Sequence, residues 1–298
     1  MQRRQFNSAL ALSLGTAMPF ACAVIPAAAA QKNLEQGADA RWAAIEAESG
    51  GRLGIAVLDT GSGRVDGHRL DERFPMCSTF KWLAASLALQ RVDAGLERLD
   101  RRIVVRREML IANSPVSEQH VGGDGMSIAE LCEAAVLVSD NAAANLLLAS
   151  FGGPPAITRH ARSLGDTKTR LDRTEPALNE ARPGDPRDTT TPRSMATALR
   201  SALLGTALSD ASRARLVAWM EAVRTGTDRL RAGLPPDWRV ADKTGTGARG
   251  STNDVAVVWP PNRAPLVLTA YLTDSKADAK RRNAALAAVA REAAARAV

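Results

Sequence analysis

The chain has 298 residues, 45% hydrophobic and 24% charged, enough for a large buried core in one or two domains. Its net charge of +7 is spread along the sequence, with no zinc-finger spacing and no aromatic-rich basic stripe, which speaks against a nucleic-acid partner. No P-loop, dinucleotide fingerprint or G-x-S-x-G elbow occurs, which argues against nucleotide-dependent enzymes and α/β-hydrolase esterases.

Arg3 and Arg4 precede an apolar run from about Ala9 to Ile25, closed by the small residues Ala27 to Ala30 before Gln31. This is the layout of a secretory signal with an A-x-A cleavage site, so residues 1–30 are expected to be an export segment. Arg3-Arg4 followed by Phe6 also resembles a twin-arginine signal, and the two routes stay open. Gly15 and Pro19 interrupt a run that is barely long enough for a membrane anchor. Pro19, Phe20 and Ala21 are a poor setting for a lipid on Cys22. The expectation is a periplasmic or secreted protein without stable membrane association, working as a monomer.

A helical pattern runs from Asn33 to Glu48 and stops at Ser49, Gly50 and Gly51. Leu53–Leu58 and Arg64–His68 flank the turn residues Asp59 to Gly63 and predict a β-hairpin. From Ser78 to about Val223 the period is mostly helical. One helix is predicted from near Ser78 to Gly95, and another from the capping box Ser127-Ile-Ala-Glu130. A third covers Asn141 to Ala149 and is broken by Gly152, Gly153, Pro154 and Pro155. Thr191-Pro192 restarts a helix as cap and first residue, and a further helix covers about Ser209 to Val223. Between them, Thr167 to Thr190 has no regular period and holds Pro176, Pro183 and Pro186. Loops of that length are uncommon and usually functional or disordered. Arg239–Gly245, Asn253–Trp259 and Leu266–Leu272 are strand-like, and a helix from about Ala277 to Ala297 closes the chain. Strands at both ends with helices between predict an α/β fold. One sheet is built from residues 31–69 and 221–298, and an all-helical domain, 70–220, is inserted within it.

Three short motifs could carry chemistry. Ser78-Thr-Phe-Lys81 is S-x-x-K, which on a helix puts an amine and a hydroxyl on one face. A serine becomes a good nucleophile only when a nearby base takes its proton, and a helix N-terminus favours the developing negative charge. Ser139-Asp-Asn141 precedes a helix, where all three residue types also serve as caps. Lys243-Thr244-Gly245 lies on a predicted strand, where Gly245 lets a ligand approach the edge closely. Each motif alone is also compatible with a structural role.

Together and in this order, Ser78-x-x-Lys81, Ser139-Asp-Asn141 and Lys243-Thr-Gly245 form the signature of the penicillin-recognising serine enzymes. Glu175-Pro-Ala-Leu-Asn179, in the long irregular segment, matches the E-x-x-L-N of the Ω-loop in class A β-lactamases. The chain therefore resembles that family over essentially all of residues 31–298. The resemblance implies a five-stranded antiparallel sheet flanked by helices and a β-lactam substrate opened by Ser78. It implies proton transfer to the leaving nitrogen through Ser139, and Glu175 and Asn179 holding the hydrolytic water. The base for acylation is either Lys81 or Glu175 acting through water. The resemblance further implies that Asn141 orients a substrate amide, that the Ser78 and Thr246 backbone N–H groups form an oxyanion hole, and that Lys243, Thr244, Thr246 and Arg229 hold the substrate carboxylate. Arg229 is chosen from Thr225-Gly-Thr-Asp-Arg229 because the alternative position, on the next strand, is Thr252. Arg173 and Asp188 are expected to pair across the loop neck, with a cis Glu175-Pro176 bond. No metal or cofactor is expected.

The sequence also departs from the family. The stretch Ala112-Asn113-Ser114-Pro115 lacks the aromatic ring that many members place at the cleft edge. Cys77 precedes the nucleophile, but Gly247 stands where some carbapenem-hydrolysing members carry its disulfide partner. Cys77 and Cys132 are expected to be buried free thiols. His68, His120 and His160 have no metal-ligand spacing and are expected at the surface or at helix ends. A penicillin-binding D,D-peptidase shares the first three motifs but needs no deacylating glutamate, so Glu175 to Asn179 argues against it. A β-lactam sensor domain would hold its adduct and is normally fused to a membrane region.

Overall fold

Residue parity along two strands sets the architecture of the computed structural model, which describes residues 40–296. The expected export segment and residues 33–39 of the first expected helix lie outside the described residues. A helix over 40–49 (α1) leads into β1 (Arg52–Asp59) and β2 (Val65–His68), and the chain returns to the sheet as β3 (Arg239–Thr246), β4 (Thr252–Trp259) and β5 (Leu266–Thr273). The five strands are antiparallel neighbours in the order β2-β1-β5-β4-β3. Successive strand side chains point to opposite faces. Thus Leu53 and Ile55 of β1, with Leu266, Leu268, Ala270 and Leu272 of β5, pack on one side against Trp42 of α1 and against Leu286 and Val289 of α8 (Ala279–Ala295). Ala56 and Leu58, with Val267 and Tyr271, face the helical body on the other side. The sheet is covered on both faces, which is why β5 is buried at every position.

The helical body surrounds α2 (Phe80–Asp93), whose residues from Phe80 to Leu89 are all buried. A helix apolar on every side belongs in a core. Around it stand α3 (Ile128–Leu137), α4 (Asn141–Ser150), α5 (Pro155–Ser163), α6 (Pro192–Leu203) and α7 (Asp210–Glu221). Local chemistry starts these helices where the sequence predicts. Ser127 and Glu130 form both halves of the capping box, and Thr191 accepts from the Ser194 N–H ahead of Pro192. The Gly152–Pro155 break ends α4, but it also starts α5, because proline is well tolerated in the first helical turn.

Three expectations need correcting or refining. The helix expected from Ser78 begins at Phe80, and Ser78 sits in a 3-10 turn, Cys77–Thr79, entered through a left-handed Cys77 (φ +47°). His160 stands in the last turn of its helix, as a helix-end residue, but it is not at the surface. It lies in α5, 2% exposed, with Nδ1 3.1 Å from Gln90 Oε1 and Nε2 3.0 Å from Ser86 Oγ, both on α2. Burial lowers its pKa to about 4, so it ties the two helices together as a neutral ring. The predicted irregular segment contains a short 3-10 turn, Ala177–Asn179, and Thr189–Thr190 pairs with Phe74–Pro75. Cys77 and Cys132 are both buried free thiols.

Phe74, beneath this pairing, also explains a small residue in β1. A Cβ on Gly54 would stand 2.3 Å from the Phe74 ring. Gly54→Ala should therefore destabilise the protein by about 1–3 kcal/mol through overpacking, lowering Tm by roughly 2–4 °C per kcal/mol. Gly123→Ala, where a Cβ meets nothing within 4 Å, should stay within about 0.5 kcal/mol of the parent. Thermal denaturation of both variants measures the difference, and an unchanged Tm for Gly54→Ala would overturn the packing argument.

Candidate active site

Strand β3 is an edge strand, so one side of its backbone is free of sheet partners. That free side runs past the 3-10 turn holding Ser78. A Cβ on Gly245 would stand 2.8 Å from Met76 O and 3.2 Å from Ser78 N, so only glycine permits this approach. Between strand and turn opens a cleft of about 390 Å³, lined by Ser78, Ser139, Asn141, Asn179, Thr244, Gly245, Thr246 and Arg229. The structure thus brings together at the cleft eight residues drawn from five separate stretches of sequence.

The other three predicted residues, Lys81, Glu175 and Lys243, lie buried behind this lining. Each is one hydrogen bond from it. Ser78 Oγ donates to Glu175 Oε1 at 3.1 Å, and Lys81 Nζ lies 3.1 Å from the same oxygen, with both charged side chains fully buried. Lys81 also donates to Ser139 O (2.8 Å), Ser139 Oγ (3.3 Å) and Asn141 Oδ1 (2.6 Å). Lys243 Nζ donates to the same Ser139 Oγ at 3.2 Å. Two lysines therefore converge on one hydroxyl, and Ser139 is held between them in a left-handed conformation (φ +60°). Non-glycine residues in that region persist only where the surroundings impose it, and they cluster at functional sites.

This geometry differs from the sequence expectation in two respects. The Lys81 ammonium turns to Glu175 rather than to the Ser78 hydroxyl, because the carboxylate is the stronger acceptor within reach. Glu175 also touches Ser78 directly, where a gap for one solvent molecule was expected. Burial pulls the Lys81 pKa down, and the Glu175 charge opposes that shift. Lys243 is lowered to about 7, first by burial and then by the Lys81 ammonium.

Polar bonds fix the irregular loop that carries Glu175. Arg173 pairs with Asp188, and Asp188 Oδ1 also accepts the Asp172 and Arg173 N–H groups. The Glu175-Pro176 bond is cis. Asn179 Nδ2 donates to Glu175 Oε2. Asn145, which sequence reasoning missed, clamps the Glu175 backbone from α4. Its Oδ1 accepts the Glu175 N–H and its Nδ2 donates to Glu175 O, both at 2.9 Å. The available signal was its spacing, one helical turn after Asn141 and so on the same face. Asn113 is a second residue whose role sequence reasoning missed. It lines the cleft edge and donates from Nδ2 to Ser139 O at 2.9 Å.

Arg229 closes the far end. Its guanidinium donates to Gly245 O (2.9 Å), Asn253 O (2.7 Å) and Thr246 Oγ1 (2.7 Å). Thr244 Oγ1 lies 2.5 Å from Thr225 Oγ1, another cleft residue without an assigned role in the sequence reading. A Cβ on Gly247 would stand 2.5 Å from Cys77 Sγ, so the chain just beyond β3 passes directly against that thiol.

Comparison with known proteins gives a consistent answer. A family model described as the β-lactamase enzyme family matches residues 38–297. β-Lactamase OXY-1 of Klebsiella oxytoca is 47% identical over 91% of this chain and 94% of its own length. β-Lactamase Toho-1 of Escherichia coli is 50% identical over 83% and 85%. The solved structure of an ancestral class A β-lactamase superposes with a TM-score of 0.85 at 62% identity, covering 88% of this chain and all of the other. At such identities, over nearly the whole of both chains, the chain belongs to the β-lactamase enzyme family and to its class A.

Proposed function

We propose that the protein hydrolyses the amide bond of β-lactam antibiotics through an acyl-enzyme on Ser78, and so confers resistance to them. The observation that carries the proposal is the Glu175 Oε1 atom, which meets both Ser78 Oγ and Lys81 Nζ at 3.1 Å. A hydroxyl, its base and a cation that steadies the base share one buried point.

In acylation Ser78 Oγ gives its proton to Glu175 and bonds to the lactam carbonyl carbon. The carbonyl oxygen develops negative charge against the Ser78 and Thr246 N–H groups. The C–N bond then breaks, and the nitrogen takes a proton from Ser139 Oγ. Ser139 is refilled by Lys81, and Lys81 by Glu175, so the Ser78 proton finishes on the leaving nitrogen. The distances permit both relays, with Lys81 3.1 Å from Glu175 and 3.3 Å from Ser139 Oγ.

Deacylation follows from the same contacts. Esterified Ser78 has no hydrogen left to donate, so Glu175 Oε1 is released to a water. Asn179 keeps its bond to Oε2, and its buried Oδ1 has no partner among the described residues, which leaves an acceptor for that water's second hydrogen. Glu175 takes the water's proton as the oxygen attacks the ester, and the proton returns to Ser78 as the ester bond breaks.

Arg229, Thr244 and Thr246 hold the substrate carboxylate, with Lys243 adding its charge from behind Ser139. Asn141 orients the side-chain amide. In this reading residues 31–69 and 221–298 form the sheet part and 70–220 the helical part. The protein is exported by the segment 1–30 and acts as a monomer without stable membrane association. No helix among the described residues is long and apolar enough to cross a membrane.

Glu175→Gln should lower kcat for a chromogenic cephalosporin by roughly 10²–10⁴-fold, the worth of a general base. Losing the carboxylate also removes the charge that opposes the downward shift of Lys81, so its amine can serve acylation in place of Glu175, and intact-protein mass spectrometry should then show the variant carrying the whole drug on Ser78. Unchanged turnover without an adduct would refute the assignment. Wild-type protein that itself stays acylated would point instead to a peptidase or a sensor.

The pH profile offers a separate check. Lys243 is cationic below about 7 and neutral above it. Attraction for an anionic substrate therefore fades as pH rises, so kcat/KM should fall on an alkaline limb near 7. A bound carboxylate favours the protonated lysine, so the limb in kcat should lie higher. Lys243→Arg keeps its charge across this range and should abolish the limb in kcat/KM. A limb that stays in place in the arginine variant would rule Lys243 out as its source.

A further inference from the structure

Two buried carboxyl groups lie beside the cleft, and the reaction above uses neither. Asp242 on β3 and Asp254 on β4 are both 0% exposed. Asp242 is level with Ala256 and Asp254 with Thr244, so the two acids are diagonal neighbours on one face of the sheet, two residues apart in register. The charge of Asp242 raises the cost of ionising Asp254.

Each carboxyl has one satisfied oxygen and one that is not. Asp242 Oδ1 accepts from Arg231 Nε, and Asp254 Oδ2 accepts from the Leu230 N–H at 3.1 Å. Asp242 Oδ2 and Asp254 Oδ1 are buried and find no donor among the described residues. Gly226 closes over Asp242 Oδ2 so tightly that a Cβ there would stand 2.1 Å away. Two unsatisfied oxygens on neighbouring acids, one per acid, can both be satisfied by a single shared hydrogen. Buried polar atoms are rarely left without a partner, and two adjacent carboxylates cannot both stay ionised.

We propose that Asp242 and Asp254 share one proton and act as a singly charged acid pair that positions Arg229 and leaves Arg229 and Lys243 cationic toward the substrate carboxylate. The proposal rests on the β-lactam reading of the cleft and names residues that serve it from behind. Asp254 holds the Leu230 N–H and Asp242 holds Arg231, so the pair grips both residues that follow Arg229 in sequence. Among the described residues the arginine's own guanidinium bonds only neutral oxygens. With one shared proton the pair carries a single negative charge, matched by Arg231. Two ionised acids would add a second negative charge beside Arg229 and Lys243 and offset their attraction for an anion. Burial pushes both acids up, Asp254 well above the ordinary carboxylate range, as a retained proton requires.

The test combines a spectrum with kinetics. Infrared difference spectra of the wild type minus Asp254→Asn at pH 7 should show the C=O stretch of a protonated carboxyl, shifting in heavy water. Asp254→Ala should raise KM for an anionic β-lactam at least about tenfold with a smaller change in kcat. Asp254→Asn, which supplies an N–H in place of the shared proton at unchanged net charge, should recover most of that loss. Absence of the band would overturn the proposal, as would an asparagine variant as impaired in KM as the alanine one. If Asp254→Ala fails to fold, the spectrum and the asparagine kinetics still decide. The spectrum needs no substrate, so a missing band sinks the shared proton alone. Wild-type protein inert toward β-lactams would sink the catalytic reading and leave the band in place.

Discussion

The arrangement of the site depends on one buried ion pair, Lys81 with Glu175. Both side chains are fully excluded from water. Taking two charges out of water is expensive, and their attraction offsets that penalty only when the remaining donors and acceptors are also filled. Here they are: Lys81 adds Ser139 and Asn141, and Glu175 adds Ser78 and Asn179. These bonds leave each group little choice of position. The two residues come from a buried helix and an irregular loop 94 positions apart in sequence (175 − 81), so their meeting locks loop to helix. Within class A of this family, the pair links the fold to the proposed chemistry, because the atoms that balance the charges are the atoms proposed to move protons.

A carboxylate on a loop without regular structure would ordinarily be mobile. This loop is held by polar bonds at three levels. Arg173 and Asp188 close its neck, Asn145 grips the Glu175 backbone, and Asn179 grips the side chain. Leu178 adds the one fully buried apolar anchor among the residues from Glu175 to Arg187. Position is therefore set by directional bonds more than by packing. That suits a group that must meet a serine in one step and a water in the next, since hydrogen bonds fix direction while leaving room for exchange of the partner.

Much of the fold was legible in the sequence because its signals are local. The Ser127 to Glu130 capping box, the Thr191-Pro192 start and the short apolar strands each state their structure within a few residues, and the five-stranded antiparallel sheet follows the implied family pattern. The unread parts depend on tertiary context. Nothing in Cys77 announces a left-handed residue, so the 3-10 turn before α2 was invisible. His160 looked like a surface residue because Ser86 and Gln90, which satisfy it, are 74 and 70 positions away. At the site, the four motifs named the residues that meet, but not which partner each would choose. Lys243 read as a residue in the cleft, yet its ammonium is fully buried behind Ser139. The proximity of Asp242 to Asp254 depends on the β3–β4 register, which spacing alone cannot reveal.

The same distinction explains where strain is tolerated. Cys77 and Ser139, in left-handed conformations at φ +47° and +60°, flank the nucleophile and the shuttle hydroxyl proposed here. Each such residue costs about 1–3 kcal/mol unless its surroundings fix it. Ser139 is fixed through its carbonyl, which accepts from Lys81 and Asn113, and through its hydroxyl, held between two ammonium groups. Cys77 is fixed differently. It is fully buried, with Gly247 passing against its sulfur and the buried first part of α2, Phe80 to Leu89, following directly. One strained residue is thus held by charge and the other by packing. A change in ionisation at the cleft would therefore loosen Ser139 first and leave the turn carrying Ser78 in place, so the proton path is softer than the nucleophile's own seat.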